Sequence, residues 1–104
     1  MRTILKVEMS VEASNAAVKD GRLGKVMSST LERLKPEAAY FTAVNGKRGG
    51  YIVFDLKDSS QIPSVTEPWF LAFGAKVSLR PVMNPQDLAK AGPSIAKASK
   101  RFGS

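Results

Sequence analysis

The sequence predicts an α+β domain: a four-stranded antiparallel sheet in the order βαββαβ, with two helices on one face. Three observations carry this. Four short stretches alternate apolar and polar residues at period two, at Thr3–Met9, Ala39–Val44, Tyr51–Leu56 and Ala75–Val82. Two stretches between them repeat apolar residues at helical spacing: Leu23, Val26, Met27, Leu31, Leu34, and then Ile62, Val65, Trp69, Phe73. Between the middle strands lies Asn45-Gly46, whose residues both tolerate positive φ, so these strands form a tight hairpin.

The elements follow in order. In the first strand Leu5, Val7 and Met9 point one way, and Ile4, Lys6 and Glu8 the other. Ser14 or Asn15 is the expected cap of the first helix. Asp20-Gly21 and Gly24 interrupt its early part, so the firm helix starts at about Arg22. Pro36 disfavours α conformation at Lys35 and ends it. Gly49-Gly50 is expected to loosen the return arm of the hairpin into a bulge. Asp58, Ser59 and Ser60 offer caps for the second helix. Pro68 falls inside it, which predicts two short pieces, Pro63–Glu67 and Pro68–Phe73, ending at Gly74. After the fourth strand, Asn84-Pro85-Gln86-Asp87 reads as a helix start. Gly92-Pro93 breaks that helix, and Ser94–Phe102 forms a short basic helix or frays. The order is that of the ferredoxin-like, split β-α-β arrangement. A single domain is expected over residues 1–104, with a core over 1–83 and a helical, basic tail over 84–104.

Strand alternation sorts the sheet into two faces. Leu5, Val7, Met9, Phe41, Ala43, Ile52, Phe54, Leu56, Val77 and Leu79 belong under the helices. The other face is mixed. It carries Ile4, Lys6, Glu8, Tyr40, Thr42, Val44, Tyr51, Val53, Asp55, Lys76, Ser78 and Arg80. Left open, it is a substantial apolar patch with charges around it. It therefore predicts a homodimer, two sheets meeting face to face around a barrel-like, partly polar space.

Several runs resemble a known family. They are Lys35-Pro36-Glu37-Ala38-Ala39-Tyr40-Phe41; Phe54-Asp55-Leu56-Lys57-Asp58 with Gln61-Ile62-Pro63 and Glu67-Pro68; and Ala75-Lys76-Val77 with Pro81-Val82-Met83-Asn84-Pro85-Gln86-Asp87-Leu88. They resemble a family of small uncharacterised bacterial proteins, similar in layout to the dimeric α+β barrel superfamily. The resemblance spans roughly residues 15–90. It implies a dimeric α+β barrel and brings no assigned catalytic residue. The wider superfamily includes cofactor-independent monooxygenases, lactone isomerases, polyketide cyclases and haem-degrading enzymes.

Composition narrows the chemistry. The 104 residues hold no Cys and no His. That removes a disulfide framework, thiol catalysis, thiolate or His metal sites, and the His-dependent branches of the superfamily. No metal and no cofactor is expected. The chain fits a cytoplasmic setting, with no signal peptide and no apolar run near the ~18 residues of a membrane span. The 16 Lys+Arg against 9 Asp+Glu give a formal charge of +7. Such a charge favours polyanions, which raises nucleic acid as a partner. Lys47-Arg48-Gly49-Gly50-Tyr51-Ile52-Val53-Phe54 fits six of eight positions of an RNA-recognition strand. Gly49 stands where the first stacking aromatic belongs, and the first strand offers none. The pattern therefore argues against nucleic acid as the partner.

The candidate site residues come from what remains. Asp55 and Glu67 are the candidate proton-transfer groups. Arg48 or Arg80 is the candidate anion anchor, and Lys76, Arg80 and Arg48 lie within expected reach of Asp55. Tyr40 and Tyr51 face one another across the hairpin and can wall an aromatic ligand. Trp69 beside the Pro68 kink is the third aromatic candidate. The reading is a small-molecule-binding protein for an apolar or aromatic metabolite, with cofactor-independent catalysis open. The alternatives are a nucleic-acid module on the basic sheet face and a purely structural dimer.

Overall fold

The computed structural model describes residues 1–103. The strands are β1 (Arg2–Glu8), β2 (Ala38–Val44), β3 (Lys47–Asp55) and β4 (Lys76–Pro81). The helices are α1 (Val11–Lys19), α2 (Arg22–Leu34), α3 (Ile62–Phe73), α4 (Pro85–Lys90) and α5 (Gly92–Phe102). The sheet order is β2-β3-β1-β4, with every pairing antiparallel. This is the βαββαβ topology read from the sequence.

The register settles which side chains share a face. Thr3, Leu5 and Val7 alternate with Arg2, Ile4, Lys6 and Glu8, and only the first set is fully buried. Leu5 lies between Ile52 and Leu79, and Lys6 between Tyr51 and Ser78. Tyr40 is paired directly with Tyr51. Both sets match the alternation in the sequence.

The core lies between the sheet and the helices. The sheet gives Leu5, Val7, Ile52 and Phe54; α1 gives Ala17; α3 gives Val65, Trp69 and Phe73. Trp69 and Phe73 pack with ring centroids 6.0 Å apart. Fully burying a large apolar side chain contributes about 1.5–3 kcal/mol, so α3 is the principal anchor of the helical layer. The α2 stripe of Leu23, Val26, Met27, Leu31 and Leu34 is only partly buried. One flank of the core is therefore less tightly closed than the other.

Local expectations meet three corrections. The first helix is capped by Ser10, not Ser14 or Asn15; the Ser10 hydroxyl accepts from Ala13 N at 3.2 Å. Ser14 is mid-helix and fully buried. A complete helix thus precedes the break at Asp20-Gly21, where Gly21 takes φ 79°. Second, Gly49-Gly50 makes no bulge. Strand β3 runs without interruption from Lys47, and both glycines pair on both sides. A Cβ at Gly49 would meet the Val7 carbonyl oxygen, and one at Gly50 the Tyr40 carbonyl oxygen. The glycines are there because neighbouring backbone comes too close for a side chain.

Third, Pro68 does not divide the second helix. Helix α3 is continuous from Ile62 to Phe73. Pro68 removes the donor for the Ser64 carbonyl, and Arg33 of α2 supplies another. Asp58 caps a single 3₁₀ turn, Ser59–Gln61, ahead of it, and Gly74 ends it in the left-handed conformation. The expected break before the last helix is present: α4 ends at Lys90 and α5 begins at Gly92. Ala91 keeps φ −80° and ψ −8°, and Ile95 N donates to Ala91 O at 3.0 Å. Pro93 sits in the first turn of α5, where its missing donor costs nothing.

The Asn45-Gly46 turn has φ 52° and 77°, as a two-residue hairpin requires. The Asn84 start is a reciprocal cap: its side chain accepts from Asp87 N at 2.8 Å, and the Asp87 carboxylate accepts from Asn84 N at 3.1 Å. Arg2 draws this corner onto the sheet, reaching Glu37 at 2.6 Å and Asp87 at 2.9 Å. Beyond it, α5 buries no side chain. The chain's radius of gyration is 17.3 Å and its longest dimension 59 Å. A compact chain of this length would have about 13 Å, and the difference is this projecting arm.

Candidate functional site

A recess of mostly apolar lining, of about 660 Å³, opens between α1, the first turns of α2 and the β2–β3 hairpin. Its walls include Met9, Val11, Leu23, Met27 and Phe41, with Asn15, Thr42, Lys47 and Arg48 as its polar components. On the helix side of β3, Gly50 stands between Arg48 and Ile52, and the Phe41 ring lies against it. Phe41, paired opposite Gly50, stays half exposed. Leu23 and Met27 approach from α2 without closing the recess.

Arg48 is the one polar group here that the structure positions firmly. Its Nη1 donates to Ser14 Oγ at 2.8 Å and to Asn15 Oδ1 at 2.7 Å. Both partners are neutral. Among the described residues no carboxylate lies within ion-pair distance of it. Lys47, by contrast, faces the other side of the sheet and reaches Glu8 at 3.5 Å. Asn45 also donates to Glu8, at 3.3 Å, and these contacts hold the Glu8 carboxyl below its ordinary range.

The remaining candidates are scattered. Asp55 ends β3 on the opposite face, where the Met1 ammonium donates to it at 2.5 Å. That bond holds its pKa down, so Asp55 stays ionised rather than poised as a neutral-pH base. Lys76, Arg80 and Arg48 do not reach it. Glu67 is exposed on the outside of α3, in none of the recesses described here. Trp69 is 1% exposed, inside the core, and its indole Nε1 has no partner. Tyr40 is 70% exposed near the sheet edge. On the open face, Tyr51 and Arg80 join Ile4, Lys6, Ser78 and Val82 around a second hollow of about 310 Å³. Lys76 lies further along, with Lys6, Glu8 and Ser78.

Of the predicted site residues, then, only Arg48 is at the apolar cleft, and Tyr51 and Arg80 share the open-face hollow. Sequence reasoning missed the cleft walls and the Ser14–Asn15 clamp. The available signal was the long apolar stripe on α2, which the core covers only in part. Among the described residues no cluster of acids offers a metal site, and no helix is long and apolar enough to cross a membrane.

The fold class is now defined: an α+β fold with one four-stranded antiparallel sheet in the order β2-β3-β1-β4. The chain is similar to 5-chloro-2-hydroxyhydroquinone dehydrochlorinase (TftG) from Burkholderia phenoliruptrix AC1100, solved in complex with 2,5-dihydroxybenzoquinone. The TM-score is 0.63 at 12% identity, covering 83% of this chain and 97% of that one. No family model and no curated protein matches the sequence.

Proposed function

We propose that the protein binds an apolar or aromatic small molecule in the cleft beneath α1 and α2, and that it does so as a homodimer joined through the open sheet face. The observation that carries the first part is the cleft itself: about 660 Å³ with walls of Met9, Val11, Leu23, Met27 and Phe41. Ligand sites are typically of this size and this apolar character, with few polar groups. The similar fold that holds a dihydroxybenzoquinone supports a planar six-membered ring as ligand. Among the described residues no carboxylate lines the cleft, so its lining favours binding over proton transfer. For the dimer, the support is the fold and the uncovered face of Ile4, Tyr40, Tyr51 and Val53.

Titration calorimetry with a panel of naphthalenes, neutral and charged, tests the ligand reading. Saturable binding is expected, and Met27→Trp or Leu23→Trp, which fill the cleft, abolishes it. If no member of the panel binds the wild-type protein, this reading is wrong.

A further inference from the structure

We infer that the molecule taken by this cleft carries a carboxylate, held by Arg48; the inference rests on the ligand reading above and names the chemistry of its ligand. A guanidinium is always charged at physiological pH, and a charge beside apolar walls normally has a counter-charge. Arg48 is exposed and has none among the described residues; Lys47 pairs with Glu8, and Arg2 with Glu37 and Asp87, while Lys6, Lys76 and Arg80 on the open face are also outside any ion pair.

What Arg48 has instead is a mount. Ser14 is fully buried in α1 and Asn15 follows it, and both accept from the same nitrogen, Nη1. Two neutral acceptors fix the position of the fork without cancelling its charge. The other donors of the guanidinium remain uncommitted to any carboxylate. The backbone adds to this placement, since Met9 N donates to Arg48 O at 2.8 Å and ties β3 to the end of β1.

The rest of the cleft selects the other end of the ligand. Leu23, Met27 and Phe41 offer no hydrogen bonds, so a molecule polar throughout would lose more to desolvation than it regains. An apolar ring with one anionic end satisfies both parts. A carboxylate suits a planar fork, because two oxygens can accept from adjacent N–H groups. Arg80 and Lys6 are also cationic, but they lie on the opposite face of the sheet and cannot serve this cleft.

The test compares 2-naphthoate with its neutral isostere 2-methylnaphthalene on the wild-type protein and on Arg48→Gln. The wild type is expected to bind the naphthoate at least about tenfold more tightly. Arg48→Gln should remove that preference while keeping the affinity for 2-methylnaphthalene. Arg48→Met, which keeps the aliphatic stem without the charge, reads the same outcome should the first variant fold poorly. Equal affinity of the wild type for both probes overturns the inference and leaves the ligand reading standing. So does a preference that survives loss of Arg48. Binding of neither probe by the wild type removes the ligand reading itself.

Discussion

The guanidinium of Arg33 on α2 donates to the Ser64 carbonyl of α3 at 3.2 Å. Ser64 is four residues before Pro68, so its carbonyl is the one that proline leaves without a helical donor. Arg33 thus joins two helices at the point where one of them has lost a bond. Arg33→Ala should cost about 0.5–1.5 kcal/mol in urea denaturation. In a Pro68→Ala background the restored N–H takes the carbonyl, and the same substitution should cost close to nothing. Equal costs in both backgrounds would show that the contact is incidental.

The glycines separate by what surrounds them. Gly49→Ala and Gly50→Ala would drive a methyl into the backbone oxygens of Val7 and Tyr40, and each should lower stability by about 1–3 kcal/mol or more. Gly24 is helical and has open space around it, so Gly24→Ala should stabilise by about 0.4–1 kcal/mol. Thermal melts of the three variants, read side by side, check the sign at each position.

Glu8 sets a pH dependence. Its ordinary pKa is 4.5, and the Asn45 hydrogen bond, then Lys47, lower it in the folded state. A lowered folded pKa contributes stability above the unfolded value, and this is lost as pH falls through the folded one. Glu8→Gln should therefore be the less stable protein near about pH 6, with the gap closing toward about pH 3. A gap that widens on acidification would contradict the assignment.

Removing residues 92–104 should leave the body intact. Helix α5 buries no side chain, so the unfolding free energy of the truncated protein at low concentration should stay within about 0.5 kcal/mol. A large loss would mean that the arm packs on something in solution.

Tyr51 lies in the middle of the open face, between Tyr40 and Lys6. If two copies meet there, Tyr51→Asp should convert a dimer to a monomer in light scattering while leaving naphthalene binding in the cleft within about twofold. A wild-type monomer at tens of micromolar would remove the face-to-face assembly.

Much of the fold was legible because it rests on periodicity. Lys6 and Leu5 cannot share a face, and Asn45-Gly46 admits few turns, so register and hairpin followed from the residues. The misreadings came where one local rule met a tertiary one. Pro68 breaks a helix unless a neighbour such as Arg33 supplies the missing donor. Gly49-Gly50 resembles a bulge unless two carbonyls press on it. Ser14 resembles a cap because nothing in the sequence shows that Ser10 precedes it in the role. The cleft was less legible still. It is a volume between α1, the first turns of α2 and the β2–β3 hairpin, and no single residue encodes it. Arg48 was found as a cation; its lack of a counter-charge needed coordinates.

The central strand has a consequence in time. β1 is made first, yet its neighbours are β3 and β4: Thr3 pairs with Phe54 on one side and Pro81 on the other. At ordinary rates of synthesis, Leu5 and Val7 wait on the order of ten seconds for the last of these partners. The β2–β3 hairpin needs only its own two-residue turn and can close as soon as it emerges. The earliest strand of the sheet is therefore the last to be enclosed, and the apolar side of β1 is the segment a nascent chain must keep from meeting other chains.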